Sequence, residues 1–600
     1  MCGVIAFNAR TGLQNTDEDA IRLALQSMQA RGPDGEGVWQ DERMILGHRR
    51  LSIIDLDPRA AQPMQSSCGR YLLAFNGEIY NFRELKAVLQ DEGVAFRTES
   101  DSEVLLALYA RHGDDMLPLL RGMFAFVIWD SVSRFGFAAR DPYGIKPLYY
   151  AQTAEGVWFG SQVKALLATG RIDNSPCPEG QAGFWQLGSV PEPHTWYAAI
   201  KALPAGHCVH FGEGALTSAP HAWWRIADDF QAAGLPVVPE AELRVRVREA
   251  VLDSVREHMV SDVPVAVFLS GGIDSGALAG MMVELGAREL HGITVAFREF
   301  AGTNDDEAPV AASIAEKYGI RHHVRWVSRE EFQADLPKIL QAMDQPTIDG
   351  VNTWFASKAV AELGLKVVVS GVGGDELFQG YESFEELPRL VARWRGLLRI
   401  PGMLAAGRLL SRLQVWRSGN ARWRHAADCL RSMAGAWWLR RSLYAPEDLP
   451  ALMGKAAAVP ALRGVDVALW IAAMCGSLPA DNRLALSQIE SSTYLRNQLL
   501  RDSDWASMAH SVELRTPLVD AHLLRRLSPL LGQFGGYPGK SLLAQCVSPA
   551  LPDEVTQRGK IGFGVPMDVW LGDIGLTRRG EQSREWAKRV AARFISKGSV

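Results

Sequence analysis

The order of predicted strands and helices changes near residue 240, and this change predicts two domains of different fold class. Before it, apolar runs predict five short strands, at 4–7, 44–46, 71–75, 124–129 and 135–139. Two amphipathic helices, at 18–29 and 82–92, are set apart from these strands. Strands in succession with separate helices are typical of a layered α+β domain.

The chain after residue 240 alternates between helix and strand. A helix is predicted at 241–259 and an apolar strand at 263–269, and the alternation continues to residue 380. This order indicates an α/β domain with a parallel sheet covered by helices. From residue 387 onward the pattern is mostly helical, with many Trp and Arg residues. The Pro-rich and Gly-rich stretch at 176–239 predicts connecting strands followed by a linker.

Composition narrows the class of protein. The 600 residues, of which 47% are hydrophobic, are enough for two or more domains with large cores. With 63 basic and 68 acidic residues, the net charge of -5 gives no polybasic signature, so neither nucleic acid nor a membrane is an expected partner. No apolar run reaches the ~20 residues of a membrane span. Seven scattered cysteines without a CxxC pair argue against a disulfide framework or a zinc site, and we expect a cytoplasmic protein.

Cys2 is the first candidate for chemistry. Removal of the initiator methionine would leave this cysteine with a free α-amino group, whose reference pKa is about 8. The amine can accept the thiol proton, directly or through a water molecule, so the residue has its own general base. A Met-Cys start also occurs by chance, and Cys2 alone does not distinguish a catalytic cysteine from a chance occurrence.

The run VAVFLSGGIDSG joins a predicted strand to a helix through a Gly-rich turn. Successive backbone amides and the positive end of the helix then face one point, which favours a phosphate. Gly271 and Gly272 allow the main chain to come close, and Ser270 and Ser275 offer hydroxyl donors. Asp274 can hold a magnesium ion. The lysine-bearing P-loop is absent, and by itself a Gly-rich turn more often marks only a tight turn.

A second Gly-rich strand end, VVVSGVGGDELFQGY, contains Asp375 and Glu376. Two strand ends with carboxylates indicate one magnesium and phosphate site at the carboxyl edge of the sheet, where open α/β sheets bind ligands. Two unrelated loops are the alternative, and the occurrence of both motifs in one chain argues against it.

The chain resembles the glutamine-dependent asparagine synthetases along nearly its whole length. Its first half is similar to their class II glutamine amidotransferase domain in MCGVIA, RGPDGEG, LGHRRLSIID, QPM, FNGEIYNF and TESDSE. The later half is similar to their synthetase domain in SGGIDS, the pyrophosphate loop of ATP pyrophosphatases, and in SGVGGDELFQGY, YLRNQLLRDSDWASMAHSVELRTPLVD and RGKIGFGVPMDVW. These motifs cover both predicted domains.

The resemblance implies a fold for each part of the chain. Residues 1–200 would form an amino-terminal nucleophile (Ntn) αββα sandwich, an α+β fold, and 201–239 a linker. Residues 240–575 would form an α/β parallel-sheet ATP-pyrophosphatase domain with a helical carboxyl-terminal part. A charged tail would occupy 576–600.

For the first half, the resemblance implies a site that hydrolyses glutamine. Cys2 would attack the side-chain amide and form a glutamyl thioester. The side chain of Asn76 and the backbone amide of Gly77 would form the oxyanion hole, a contact worth ~3 to 4 kcal/mol per donor. The remaining glutamine contacts would be charged: Arg50 with the carboxylate, and Glu78 and Asp101 with the ammonium group. Without the resemblance, Arg50 and Asp101 are ordinary surface charges.

For the second half, the resemblance implies ATP binding and activation of a carboxylate. Asp274 and Asp375 would hold Mg²⁺, and Lys560 would stabilise negative charge on the reacting phosphate or acyl group. The residues expected at ATP lie on the two Gly-rich loops and the next strand: Leu269, Ser270, Gly271, Gly272, Asp274, Ser275, Val295, Ser370 and Gly371.

Ammonia from glutamine would then displace AMP from an acyl adenylate and leave an amide. The expected acceptor is aspartate, and the alternative is another carboxylate, such as a uronic acid of a surface-polysaccharide pathway. That alternative stays open because Val372 stands where asparagine synthetases commonly have an acidic residue, and Asp502 and Trp505 stand where Lys and Arg are frequent.

A regulatory protein that binds both ligands without turnover is a third hypothesis, against which the intact site residues argue. A homodimer is compatible with the resemblance.

Overall fold

Two antiparallel sheets form the first part of the molecule. The computed structural model describes residues 2–232, 237–418, 421–462, 467–558, 564–570 and 579–595. The strands of this part are β1 Gly3–Ala9, β2 Gly35–Gln40, β3 Met44–Arg50, β4 Met64–Gln65, β5 Tyr71–Ile79, β6 Gly122–Asp130, β7 Phe135–Arg140, β8 Tyr149–Gln152, β9 Gly156–Gly160, β10 Ile200–Ala202, β11 His207–Gly212, β12 Ala215–Leu216 and β13 His221–Ala222. Its helices are α1 Asn15–Ser27, α2 Phe82–Asp91, α3 Asp101–His112, α4 Val163–Ala168, α5 Pro178–Leu187 and α6 Ile226–Gln231.

The two sheets stack face to face between helices. One has the strand order β10-β8-β9-β1-β3-β2, and the other β12-β11-β7-β6-β5-β4, with β13 paired to β11. Val4 of β1 and Leu72 of β5 belong to one core cluster between the sheets. The next residues, Ile5 and Leu73, point the opposite way and pack in the clusters that include α1 and α3, as alternation along a strand requires. The four αββα layers confirm the predicted fold class.

A parallel sheet with the order β16-β15-β14-β17-β18 forms the centre of the later part. Its strands are β14 Val265–Phe268, β15 His291–Phe297, β16 Arg321–Val327, β17 Val367–Val369 and β18 Glu513–Arg515. The helices that alternate with them are α7 Glu240–His258, α8 Ile273–Glu284, α9 Ala308–Tyr318, α10 Arg329–Ala342, α11 Val351–Glu362 and α12 Gly374–Leu377. The α/β prediction is therefore confirmed.

Helices account for most of the remaining described chain, as the sequence predicts. They are α13 Ser383–Leu397, α14 Met403–Ser418, α15 Ala426–Cys429, α16 Met433–Arg441, α17 Leu449–Met453, α18 Lys455–Leu462, α19 Val467–Cys475, α20 Asn482–Glu490, a π-helix Ser491–Leu500, α21 Arg501–Met508, α22 Ala521–Leu527, α23 Ser541–Ala544, α24 Asp553–Gln557, α25 Met567–Trp570 and α26 Arg579–Ile595. Among the described helices, none combines the length and apolarity that a membrane span needs.

Two predicted boundaries are wrong. The linker at 201–239 begins too early, because β11 pairs with β7 and buries Val209 and Phe211 between the sheets. Gly214 lies in the hairpin turn between β11 and β12 instead. The charged tail at 576–600 includes α26, whose Trp586, Val590 and Phe594 are buried. These apolar residues recur every four positions, so one face of a strongly charged helix packs on the domain.

Buried ion pairs join the two parts. Arg31, which is 2% exposed, donates through Nη1 to Asp504 Oδ2 at 2.7 Å. Arg121 donates through Nη2 to Asp520 Oδ2 at 2.6 Å. Arg121 also pairs with Asp253, whereas both partners of the Arg31–Asp504 pair are shielded from water, so loss of Asp504 leaves the buried Arg31 without its paired counter-ion.

We expect Asp504→Ala to destabilise the protein by about 3 to 5 kcal/mol, since Arg31 would remain buried and unpaired. The matched control is Glu18→Ala, which breaks the exposed Glu18–Arg22 pair and should cost about 0.5 kcal/mol or less. Chemical denaturation followed by tryptophan fluorescence measures both. Equal effects of the two substitutions would contradict the interpretation.

Candidate active site

Cys2 is buried at the start of β1, beside β5. Its backbone N–H donates to Asn76 Oδ1 at 2.9 Å, and its carbonyl accepts from Arg31 Nε at 3.1 Å. Burial raises the pKa of the Cys2 thiol, while the backbone of Leu51 and the charge of Arg50 oppose this rise. Neighbours from three separate segments therefore surround Cys2.

Asn76 and Gly77 lie next to each other on β5. Asn76 is fully buried, and its Nδ2 amide has no acceptor among the described residues. Gly77 has φ +154°, and an added Cβ would overlap the carbonyl oxygen of Met123 on β6. The Asn76 side-chain amide, whose N–H has no acceptor among the described residues, thus adjoins Gly77, a backbone position that only glycine can occupy. Both residues lie beside Cys2.

Gln62 holds this part of β5 in place, a role that the sequence did not reveal. Its Oε1 accepts from the Phe75 N–H at 2.7 Å, and its Nε2 donates to Ser102 Oγ at 3.0 Å. His48 Nε2 contacts the Phe75 carbonyl at 3.0 Å. The QPM motif marked the position of Gln62 but not its partners.

Two buried carboxylates flank the same strand. Asp101 Oδ2 accepts from the Ile79 N–H at 3.0 Å, and burial raises the pKa of Asp101 to about 6. Burial also raises the pKa of Glu78 well above its usual value, helped by the charges of Glu513 and Asp101 and opposed by Arg515. The structure therefore brings Glu78 and Asp101 close enough for their charges to interact.

Arg50 lies near Cys2 at the end of β3. Its guanidinium donates to the carbonyl of Asp57 at 3.1 Å and also to the carbonyl of Asp55. These bonds to a following loop hold the side chain half-buried. Arg50 is thus a positioned cation of the site.

Strand β18 separates this site from a second one. Arg515 Nε donates to Glu513 Oε1 at 2.6 Å, and the guanidinium lies 5.5 Å from the ring centroid of Tyr80 in the first part. Leu514, which points to the opposite face, lines a cavity at the edge of the parallel sheet. The carbonyl of Arg515 accepts from the Ser370 N–H at 2.8 Å, so one short strand contacts both sites.

That cavity, which we term the sheet-edge cavity, has a volume of about 380 Å³. It lies where β14, β15 and β17 end, at the carboxyl edge that binds ligands in open α/β sheets. The predicted ATP contacts that line it are Leu269, Ser270, Asp274, Ser275, Val295, Ser370 and Gly371. Gly271 and Gly272 complete the same turn, and an added Cβ at Gly271 would contact Arg558 and Val310.

Two hydroxyl groups hold the first Gly-rich turn. Ser270 Oγ and Ser275 Oγ are 2.9 Å apart, and Ser275 Oγ donates to the Gly272 carbonyl at 3.2 Å. The Gly272 N–H donates to Ser270 Oγ at 3.2 Å. The turn leads directly into α8, so its backbone amides face the cavity at a helix N-terminus, an arrangement that suits a phosphate.

Asp274 and Asp375 converge on the ammonium group of Lys540. Lys540 Nζ lies 2.9 Å from Asp375 Oδ1 and also pairs with Asp274. Although burial alone would lower it, these two carboxylates raise the pKa of Lys540. Two carboxylate oxygens around one cation are a donor set that fits Mg²⁺. The sequence did not predict a role for Lys540, because this lysine lies outside every motif that was recognised.

Glu376 and Tyr381 form another wall of the sheet-edge cavity. The Tyr381 hydroxyl donates to Glu376 Oε1 at 2.7 Å. Burial raises the pKa of Glu376 to about 7, and the charge of Asp375 adds to the shift. Val372 lines the cavity with an apolar side chain. The predicted Lys560 lies outside the described residues.

A second cavity of about 470 Å³, which we term the side cavity, adjoins the sheet-edge cavity. The two share Asp349, Asn352, Tyr494 and Gly564. The π-helix contributes Tyr494, Asn497 and Gln498 to the side cavity, and π-helices are frequent at functional sites. No sequence motif predicts this cavity.

Indole and guanidinium groups complete the side cavity. Trp437 and Trp586 line it, and neither indole N–H has an acceptor among the described residues. Arg441, which also lines it, pairs with the buried Glu490 at 3.0 Å. The Arg441 guanidinium lies 3.8 Å from the ring centroid of Tyr494. Its charge is thus matched within the protein.

An Ntn sandwich with a buried Cys2, joined to a parallel-sheet domain with a Gly-rich phosphate turn, defines a glutamine amidotransferase linked to a nucleotide-dependent synthetase. Residues 1–224 match the family model described as glutamine amidotransferase domain, and residues 246–597 match the model described as asparagine synthase. The chain belongs to the asparagine synthase family.

Curated relatives cover nearly the whole chain. It is 32% identical to glutamine-hydrolysing asparagine synthetase 1 of Bacillus subtilis, over 98% of this chain and 90% of that protein. It is 34% identical to a putative glutamine-hydrolysing asparagine synthetase of Mycobacterium tuberculosis, with the same coverage. Among solved structures, a glutamine phosphoribosylpyrophosphate amidotransferase of Bacillus subtilis aligns with 16% identity and a TM-score of 0.31, covering 55% of this chain and 91% of that chain.

We expect Gly77→Ala to force β5 and β6 apart locally, because the new Cβ would overlap the Met123 carbonyl. Overpacking of this kind costs about 1 to 3 kcal/mol. Amide hydrogen exchange should become faster around the Gly77–Phe124 pair. The control is Gly536→Ala, where an added Cβ meets nothing within 4 Å. Unchanged exchange in Gly77→Ala would contradict the close approach.

Proposed function

We propose that this protein is an ATP-dependent ligase that takes ammonia from glutamine and transfers it to a carboxylate activated as an acyl adenylate. The observation that supports this best is the presence of both sites in one molecule, with β18 contacting each. The family and the names of the curated relatives support the same reaction class.

In the first site, Cys2 would attack the side-chain amide of glutamine. The open Nδ2 donor of Asn76 and the backbone amide of Gly77 would stabilise the oxyanion that forms, and removal of one such donor costs ~3 to 4 kcal/mol. Arg50 would bind the carboxylate of glutamine, and Glu78 and Asp101 its ammonium group. A bound ammonium group favours the charged forms of both acids, which offsets the burial that raises their pKa values.

In the second site, the turn from Ser270 to Ser275 would bind the phosphates of ATP, with Val295 and Leu269 beside the nucleotide. Asp274 and Asp375 would hold Mg²⁺, which when bound neutralises the charge of the phosphates. Lys540 occupies the point between these carboxylates, so its ammonium group would turn to a phosphate oxygen when the ion enters. We also propose that Lys560 stabilises charge on the reacting group.

The two half-reactions should separate by mutation. We expect Cys2→Ala to abolish glutamine hydrolysis and to keep AMP formation with added ammonia, since the sheet-edge cavity is untouched. Asp274→Ala should spare glutamine hydrolysis and stop AMP release, because the phosphates lose their magnesium ligand. Glutaminase and AMP assays on each variant measure this. Loss of both activities in Cys2→Ala would contradict a two-site enzyme.

Aspartate is the acceptor that we propose first, on the names of the relatives. The side cavity favours a second candidate, a sugar acid. Its described lining offers amides, hydroxyls and two indole rings, whereas its lining cation Arg441 is already paired with Glu490. Such neutral donors suit a hydroxylated ring better than the second carboxylate of aspartate, and indole faces suit its C–H surface.

AMP formation with glutamine and a panel of aspartate, glucuronate and galacturonate distinguishes the acceptors. We expect AMP with aspartate if the first candidate is right, and AMP with a sugar acid alone if the second is. Trp437→Leu removes one indole ring from the lining of the side cavity. Because that ring would pack on the C–H surface of a sugar, the change should raise KM for a sugar acid severalfold and leave KM for aspartate unchanged.

A further inference from the structure

The helices that follow the nucleotide loops contain an unusual run of arginines. Between Leu387 and Ala427 the sequence has nine arginines and no Asp, Glu or Lys, although the whole chain has a net charge of -5. The nine are Arg389, Arg393, Arg395, Arg399, Arg408, Arg412, Arg417, Arg422 and Arg424. Seven of them lie in or between α13 and α14, and we term residues 383–418 the basic hairpin.

Exposed apolar side chains accompany these charges. Six large aliphatic residues of the basic hairpin are between 36% and 61% exposed. They are Leu390, Leu397, Ile400, Leu409, Leu410 and Leu413. Leu397 and Ile400 lie where the two helices meet, and Leu409 and Leu413 are one turn apart on α14. The basic hairpin thus presents apolar and cationic groups on the same outer surface.

The inner faces of both helices are already packed. Phe384, Leu387 and Val391 of α13 are buried in the cluster that includes α16 and α20. On α14, an added Cβ at Gly407 would lie 3.2 Å from Ala427, so this side contacts α15. Leu397, Ile400, Leu409 and Leu413 are therefore exposed beyond these packed faces.

Several arginines of the outer surface have no acidic partner within the part of the chain that the structure describes. Arg389 pairs with Glu385 and Arg408 with Asp428. Arg393, Arg395 and Arg399 are exposed and form no ion pair with the described residues. Exposed arginines without counter-ions attract a polyanionic surface.

We propose that the basic hairpin docks on the surface of an anionic lipid membrane. Arginines beside exposed Trp and Leu side chains are found on helices that lie in a membrane interface, and basic residues near anionic lipid strengthen such binding. A nucleic acid would use the arginines and gain nothing from the exposed leucines. This inference does not depend on the proposed function.

Apolar surface continues inward from the basic hairpin. A cavity of about 600 Å³ lies beneath it, lined by Leu390, Trp394 and Leu410 together with Leu439 of α16. The other side of α16 carries Trp437, which lines the side cavity. One helix, about 10 Å in diameter, thus separates the two cavities. Docking of the basic hairpin therefore brings the side cavity close to the lipid surface.

Sedimentation of the full-length protein with lipid vesicles tests this inference. The protein should bind vesicles of equal parts phosphatidylglycerol and phosphatidylcholine, and not vesicles of phosphatidylcholine alone. Binding should weaken at ~1 M salt, where the Debye length is about 3 Å. Absence of binding to the anionic vesicles, or equal binding to both kinds, would overturn the proposal.

Two hairpin variants separate the two contributions. R393Q/R395Q/R399Q removes three exposed charges and should weaken binding about tenfold or more. L409Q/L413Q removes exposed apolar surface and should weaken binding at low and high salt alike. The matched control is R288Q/K317Q/R321Q, which removes three exposed charges outside the basic hairpin and should leave binding unchanged. Glutaminase activity and circular dichroism of each variant confirm that it is folded.

Other occupants of this surface give distinct results. If neither hairpin variant changes vesicle binding, the hairpin is not the docking surface. If the protein binds duplex DNA more tightly than anionic vesicles and L409Q/L413Q does not affect this, the surface recognises nucleic acid and the proposal is wrong. If L409Q/L413Q alters only the sedimentation coefficient of the protein in the absence of lipid, the surface joins two copies of the chain, which also overturns it.

Discussion

The buried ion pair between Arg515 and Glu513 on β18 is the interaction on which both sites depend. Both side chains are fully buried, and Arg515 Nη1 also donates to the carbonyls of His258 and Val260, at 2.9 Å and 2.6 Å. The main chain at Arg515 pairs with Val369 and accepts from Ser370, the first residue of the second Gly-rich loop. The charges of this pair lie beside Glu78 and Tyr80 in the first part of the molecule. A displacement of β18 would therefore change the geometry of both sites.

The buried charged residues at the first site suit the binding of a ligand that carries its own charge. Burial would raise the pKa of Glu513, but Arg515 lowers it well below its usual range. Glu78 forms no ion pair with the described residues, and burial raises its pKa. Glu78 thus favours either a proton or a cation. The ammonium group that we propose as its ligand would supply the missing charge.

Local sequence predicted those parts of the sites that lie on a strand end and the turn after it. The turn at Ser270 to Ser275 belongs to this class, because a few adjacent residues determine its backbone geometry. Asn76 and Gly77 lie inside β5, and only the resemblance to a family predicted a role for them. Arg31 with Asp504 and Lys540 with Asp274 could not be predicted, since their partners are separated by 473 and 266 residues in sequence. Such pairs exist only once the domains have packed.

Averages over long stretches concealed other features. The balanced charge of the whole chain hid the arginine-rich stretch of α13 and α14, and the charge of α26 hid its buried face. The turn-rich composition around β11 similarly masked a strand whose Val209 and Phe211 pack between the two sheets. The side cavity depends on a π-helix, whose register cannot be read from apolar spacing. In each case the feature depends on a few local residues or on tertiary packing. The sequence-based prediction relied instead on average composition or on the spacing of apolar residues.

The central claim is that one molecule releases ammonia at Cys2 and uses it at the sheet-edge cavity. The most direct measurement is isotopic. Glutamine labelled with ¹⁵N in its side-chain amide is supplied together with excess unlabelled ammonium, ATP and an acceptor that supports AMP formation, and the amide product is analysed by mass spectrometry. The account predicts that nearly all product amide contains ¹⁵N. A product whose label matches the diluted ammonium pool in the solution would contradict it.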